Sequence, residues 1–266
     1  MIYSLLIGLA IFTFVSCNKS ETLTATQQET AQLIIDEQDA DVTGTDIDAL
    51  TDEALQLKVT SFKSTNAEGQ NYIGSCPILT IDSAATPKKL TIDFGTTCVG
   101  KDGKTRSGKI IVTSTNFTKL GVDRSLSFEN YMVNGKMIAG SIIKTITFAS
   151  LTTKKAHVID NLTITLPDNK GVVTRTSDVT REFKLVGSTL TTWGAAQFTN
   201  AKGVKITKSI AELTPLIFKF TCKQIVSGKQ VVTRGDKTFT TDFGDGSCDD
   251  MAIVNDGTKS WPIKLK

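Results

Sequence analysis

The sequence predicts an all-β body of antiparallel strands, carried behind an export signal and an acidic tether. Three observations lead there. From about Tyr72 onwards apolar and polar residues alternate with a period of two, as in Leu90, Ile92 and Phe94 against Lys89, Thr91 and Asp93. The chain carries 40 threonines among 266 residues, and threonine favours strands. Turn dipeptides punctuate the alternating runs, among them Asn134-Gly135, Asp102-Gly103 and Asp256-Gly257. The pattern predicts roughly 12 strands, in an antiparallel sandwich or a long meandering sheet, with no helix after Asn71.

The elements follow in order. Ile2 to Val15 is an apolar run broken only by Ser4, Gly8 and Thr13, and Cys17 follows at once. A run of that length falls short of the roughly 20 residues that cross a bilayer and suits the core of an export signal. The segment Phe14-Val15-Ser16-Cys17 resembles the bacterial lipobox, in which small residues precede a cysteine that is acylated. Residues 1–16 then read as a lipoprotein signal peptide, and Cys17 as the lipidation site. Phe14 stands where leucine is usual, and no Lys or Arg precedes the run. An ordinary cleaved signal with an incidental cysteine is the plainer alternative. Asn18 does not resemble the Asp that retains lipoproteins in the inner membrane, which points to the outer membrane, facing the periplasm or the cell surface.

Charge divides the rest. Residues 18–70 hold 3 basic and 11 acidic side chains, whereas 71–266 hold 27 basic and 16 acidic, balances of −8 and +11. Residues 17–70 therefore read as an acidic, flexible tether. Short helices are possible within it at 27–38 and 47–58, the second capped by Asp46.

Inside the body, at about 72–116 and 219–266, two modules look alike. Thr91-Ile92-Asp93-Phe94-Gly95 precedes Cys98, and Thr240-Thr241-Asp242-Phe243-Gly244 precedes Cys248. Each is preceded by another cysteine, Cys76 or Cys222, and followed by an Asp-Gly turn and a strand. Export favours disulfides, and four cysteines remain once Cys17 is acylated. Three pairings are open, and the repeat selects Cys76–Cys98 with Cys222–Cys248. A lipobox, an acidic spacer and strands ending in Asp-Phe-Gly before a cysteine resemble uncharacterised lipoproteins of Bacteroidota envelopes. That resemblance implies a location and no activity. Asp82-Ser83-Ala84 also resembles the short O-glycosylation motif of those bacteria, which makes Ser83 a candidate glycosylation site.

Chemistry is sparse. His157 is the one histidine of the chain, which excludes zinc sites built on two or three histidines and leaves one candidate for any Ser-His or Cys-His pair. The Asp-Phe-Gly triplets lack every other kinase motif. Asp242, Asp245, Asp249 and Asp250 surround two glycines and are weak calcium candidates, with an acidic turn as the simpler reading. The lysines scatter without aromatic interleaving or a nucleic-acid module, so no nucleic acid and no cofactor are expected. The sequence thus points to a lipid-anchored cell-envelope protein with a non-catalytic binding or structural role, its partner a glycan or an envelope protein. An exported polysaccharide hydrolase is the alternative. A binding module should expose an aromatic strip, with Trp193, Tyr131 and Trp261 as the only obvious contributors. A hydrolase should show two acids about 5–9 Å apart in a cleft.

Overall fold

A sheet with one apolar face must bury it against something, and in this chain that something is the acidic segment. The computed structural model describes residues 24–58 and 73–265; the expected signal 1–16, Cys17 and the flanks of the tether lie outside them. Ala25–Lys58 is a single helix, α1, of 34 residues. This corrects the expectation of a flexible tether with two short helices for the part described. The helix starts at a reciprocal cap: Gln27 N–H donates to Thr24 Oγ1 at 3.3 Å, and Thr24 N–H donates to Gln27 Oε1 at 2.8 Å. Asp46 caps nothing, because it sits in mid-helix. The weak segment around Gly44 stays helical, and Thr43 and Thr45 return their hydroxyls to the carbonyls of Asp39 and Asp41. Tertiary contact supplies what local propensity lacks.

The strands are β1 (Ile78–Asp82), β2 (Lys88–Asp93), β3 (Cys98–Val99), β4 (Thr105–Thr115) and β5 (Gly121–Val133). They continue as β6 (Lys136–Phe148), β7 (Thr153–Thr165), β8 (Val172–Lys184), β9 (Thr189–Thr199) and β10 (Lys205–Ile210). The last are β11 (Leu216–Lys219), β12 (Gln224–Arg234), β13 (Lys237–Asp245), β14 (Met251–Asn255) and β15 (Ser260–Lys264). All 15 belong to one antiparallel sheet, ordered β1-β2-β4-β5-β6-β7-β8-β9-β10-β12-β13-β14-β15, with β3 beside β4 and β11 between β9 and β12. The meander is the architecture, and the sandwich is not. Short pieces account for the excess over the expected strand number. β3 has two residues, and β11 continues β10 along β9 after an excursion at 211–215.

Alternation does the rest. Ile110, Val112, Leu126, Ile142, Val158, Leu162 and Phe198 face inward and pack with Ile47, Leu50 and Ala54 of α1. Phe239, Phe243, Val254, Trp261 and Ile263 pack with Ala31 and Ile34 near the other end of the helix. Each such aliphatic side chain contributes about 1.5–3 kcal/mol when fully buried.

The two Asp-Phe-Gly corners are built alike. Asp93 and Asp242 each accept the N–H of the glycine two residues on, at 2.9 and 3.0 Å, while Phe94 and Phe243 turn into the core. Opposite each lies Ser-Gly-Lys at a bulge, and Lys109 and Lys229 reach the two aspartates at 3.1 and 3.0 Å. Only glycine fits there: a Cβ on Gly108 would lie 2.1 Å from the carbonyl oxygen of Asn130, and one on Gly228 2.0 Å from that of Pro215. In the first corner Ser-Gly-Lys follows Asp-Phe-Gly in sequence, and in the second it precedes it. Cys76 bonds to Cys98 and Cys222 to Cys248, with Cα separations of 5.7 and 6.0 Å.

Candidate functional site

α1 meets the sheet through charge. Glu37, Asp41, Asp48 and Asp52 recur at steps of four and seven residues, which puts them on one side of the helix. Facing them at inward positions of the sheet are Arg124 of β5, Lys144 of β6, Arg175 and Arg181 of β8, and Lys208 of β10, all buried. Asp52 pairs with Arg124 at 2.6 Å and with Lys154; Asp48 pairs with Arg181 at 2.6 Å and with Lys144. Asp41 pairs with Arg175 and Lys208, and Lys208 also reaches Glu37 at 2.5 Å. Arg175 is held from below by Asp160 of β7, which also accepts the Ser177 hydroxyl. At the flanks Lys104 meets Asp46, and Arg234 meets Glu29 at 2.7 Å. The acidic and basic halves of the sequence are each other's counter-ions.

The carboxyls of this lattice do not share one protonation state. Burial alone would raise Asp41, but Lys208 and Arg175 outweigh it and hold the group far below the usual range. Burial opposes the ionisation of Asp52 too, and Lys154, Arg124 and Lys144 overcome it. Glu37 goes the other way: burial, reinforced by the charge of Asp41, pushes it up to about 7 against the pull of Lys208. Charge counting gives the reason. Glu37, Asp41 and Asp160 form ion pairs with two cations, Arg175 and Lys208, and Glu37, paired to Lys208 alone, is the carboxyl whose proton is held most tightly.

Two carboxyls driven apart in this way are also what acid–base catalysis uses. Here Asp41 lines the neighbouring cleft but Glu37 is 1% exposed and does not, so the two carboxyls do not face a substrate together. That cleft lies between α1 and strands β9, β11 and β12, with a volume of about 100 Å³. Ile35, Val42, Leu190, Leu216, Phe218 and Phe220 line it. The space admits a few methylene groups, well below the roughly 300 Å³ at which pockets for whole small molecules begin.

The residues singled out from sequence are dispersed. Tyr131 is in the core between Phe94 and Phe128, each ring 5.7 Å away, and Trp261 is buried against Phe239. Only Trp193 is partly open, under Lys155 at 5.0 Å. The anticipated aromatic strip is therefore not assembled, because strand alternation turns two of its members inward. Asp242 caps the Gly244 corner, Asp245 accepts the backbone and hydroxyl of Ser247, and Asp249 accepts the N–H of Met251. Asp250 stands beside Gln224. These acids hold turns, and among the described residues no group of three acids, cysteines or histidine is gathered as a metal site. His157 lies on the exposed outer face and meets Asp178 at 2.7 Å. Ser83 is exposed in the connection between β1 and β2. Among the described residues no helix is long and apolar enough to cross a membrane.

No protein-family model, curated protein or solved structure matches the chain.

Sequence reading missed the lattice itself. Two signals carried it: the spacing of Glu37, Asp41, Asp48 and Asp52, and Arg175 and Arg181 in phase with Val173 and Val179.

Proposed function

We propose that this chain is a lipid-anchored cell-envelope protein with a non-catalytic binding or structural role, held at the outer membrane through Cys17 and directed at an envelope protein rather than a glycan. One observation carries the reading: the inner face of the sheet, where a cleft would otherwise lie, is filled by α1, and its buried charges are consumed in holding that helix. Partners are left the loops and the outer face. The burial of Tyr131 and Trp261 leaves Trp193 alone of the three to stack on a sugar ring, which favours a protein.

Labelled fatty acid supplied to the native bacterium tests the anchor. Incorporation is expected, with loss on Cys17→Ala; a labelled mutant would sink the lipobox reading. Incubation of the purified protein with envelope and plant polysaccharides is expected to release no new reducing ends. Turnover abolished by one carboxylate substitution would establish the hydrolase instead.

A further inference from the structure

The meander puts its hairpin connections alternately at two edges of the sheet, and the two edges differ in chemistry. One edge carries the connections 134–135, 166–171, 200–204 and 235–236, turns rich in Asn, Asp, Gly and Lys whose larger apolar residues, Leu166 and Val204, are half-buried. The other carries 116–120, 149–152 and 185–188, which join β4 to β5, β6 to β7 and β8 to β9, and further along 220–223 and 246–250, the last with exposed Asp249 and Asp250. The first three segments read Asn-Phe-Thr-Lys-Leu, Ala-Ser-Leu-Thr and Leu-Val-Gly-Ser, without one acidic residue. Each lifts large apolar side chains into solvent: Phe117 is 49% exposed, Leu120 70%, Leu151 101% and Val186 79%.

Three features say what covers them. The tips stand about 10 Å apart, two strand spacings each, and the second and third are joined by the Leu185 N–H to the Thr152 carbonyl, so they form one row along the edge. Their backbone is largely satisfied from within. Thr118 Oγ1 accepts the N–H groups of Leu120 and Gly121 at 3.1 and 2.9 Å; Ser150 Oγ accepts that of Thr152 at 3.2 Å. The Leu185 N–H donates to the carbonyl of Thr152 and the Ser188 N–H to that of Leu185. The N–H groups of Phe117, Leu151 and Val186 make no such bond, so the side chains, and not the loop backbone, can enter an apolar medium. Lysines flank the row: Lys88, 5.0 Å over the Phe117 ring, with Lys119 and Lys155, all exposed, while Lys184 is paired with Glu182 at 3.0 Å. Apolar tips with lysines beside them match the depth profile of a bilayer surface, acyl chains below and anionic headgroups above.

We propose that this edge docks onto an anionic lipid bilayer, inserting Phe117, Leu120, Leu151 and Val186 among the acyl chains. The neighbouring connection 83–87, which carries Ser83, holds no large apolar residue and stays outside the contact.

The experiment uses the full chain with Cys17→Ser and vesicles of phosphatidylcholine with or without 30% phosphatidylglycerol. In one variant Leu151→Trp places a fluorophore at a tip; in a second, Lys170→Trp places it on the polar edge. With brominated lipid the tip tryptophan is expected to shift to the blue and be quenched, and the Lys170→Trp variant to do neither. The triple variant Leu120→Ser, Leu151→Ser, Val186→Ser is expected to lower partition into anionic vesicles at least tenfold. Omitting phosphatidylglycerol is expected to weaken binding several-fold. An unquenched tip on vesicle-bound protein, equal quenching at both edges, or no binding at all would overturn the proposal and leave the edge to a protein partner. Binding indifferent to phosphatidylglycerol would overturn its anionic part. Because the fluorophore reports position, failure of the acyl anchor and failure of tip insertion give different results.

Discussion

Arg181 of β8 donates to Asp48 of α1 at 2.6 Å, joining two residues 133 apart in sequence across the buried face of the sheet. Lys144 is the second cation on the same carboxylate. Arg181→Met would leave Asp48 with one cation in a site closed to water. The expected cost is about 3 kcal/mol in urea unfolding, as for other buried pairs broken on one side. A cost below about 1 kcal/mol would mean that the lattice does not hold the helix.

The pH dependence has two limbs of opposite sign. Asp41 and Asp52 have folded values below their unfolded ones, so their contribution is present above about pH 4 and is lost as pH falls further. Glu37 is raised to about 7, so the folded state holds its proton more tightly than the unfolded one. Its contribution is complete below the unfolded value of 4.5 and declines as pH rises towards 7. Thermal melts from pH 2 to 8 should show both limbs, and Glu37→Gln should abolish the second while keeping the first. A wild type whose melting point is level between pH 5 and 8 would contradict the assignment of the tightly held proton to Glu37.

Non-reducing peptide mapping should recover Cys76 with Cys98 and Cys222 with Cys248. The loops are 22 and 26 residues, for which chain entropy assigns about 3.5 kcal/mol to each bridge. Cys222→Ala with Cys248→Ala should therefore lower stability by an amount of that order. A peptide linking either early cysteine to either late one would contradict the fold of both corners.

Two glycine substitutions should move stability in opposite directions. Gly228→Ala drives a methyl group into the carbonyl of Pro215, at a φ of +103°, and should cost at least about 2 kcal/mol. Gly44→Ala meets nothing within 4 Å and sits in mid-helix, where it should add about 0.5–1 kcal/mol. Calorimetry on the two variants decides both.

The sheet was legible because its signal is local. Leu162 and Ile164 against Thr163, or Ile206 against Lys205 and Thr207, state which face is buried without reference to any distant residue. The helix was legible only as two pieces, 27–38 and 47–58, because its buried side mixes Ile34, Ile47 and Leu50 with acids. Glu37 and Asp41 read as solvated until Arg175 and Lys208 stand opposite them, and that pairing spans more than half of the chain. β8 shows the same difficulty from the other side. Arg175 occupies an inward position between Val173 and Val179, and a single sequence read for hydropathy scores it as a break in the strand. Neither half explains its charges alone.

The ion pairs also have an order. Asp52 reaches back from Arg124, Asp41 from Arg175 and Lys208, and Glu29 from Arg234, so among these pairs the sequence separation climbs from 72 to 205 along the helix from its end to its start, with Lys104–Asp46, at 58, outside the order. A chain emerging amino-terminus first delivers the acids before any of their cations, and then delivers the cations strand by strand. β5 to β7 can capture the last turns of the helix while β12 is still unmade, and the first turns wait for it. Assembly then runs as a zipper that closes towards the amino-terminus, with long-range contacts added one hairpin at a time instead of all at once. A chain interrupted after β10 would hold the later part of its helix and leave the first turns without their final strands.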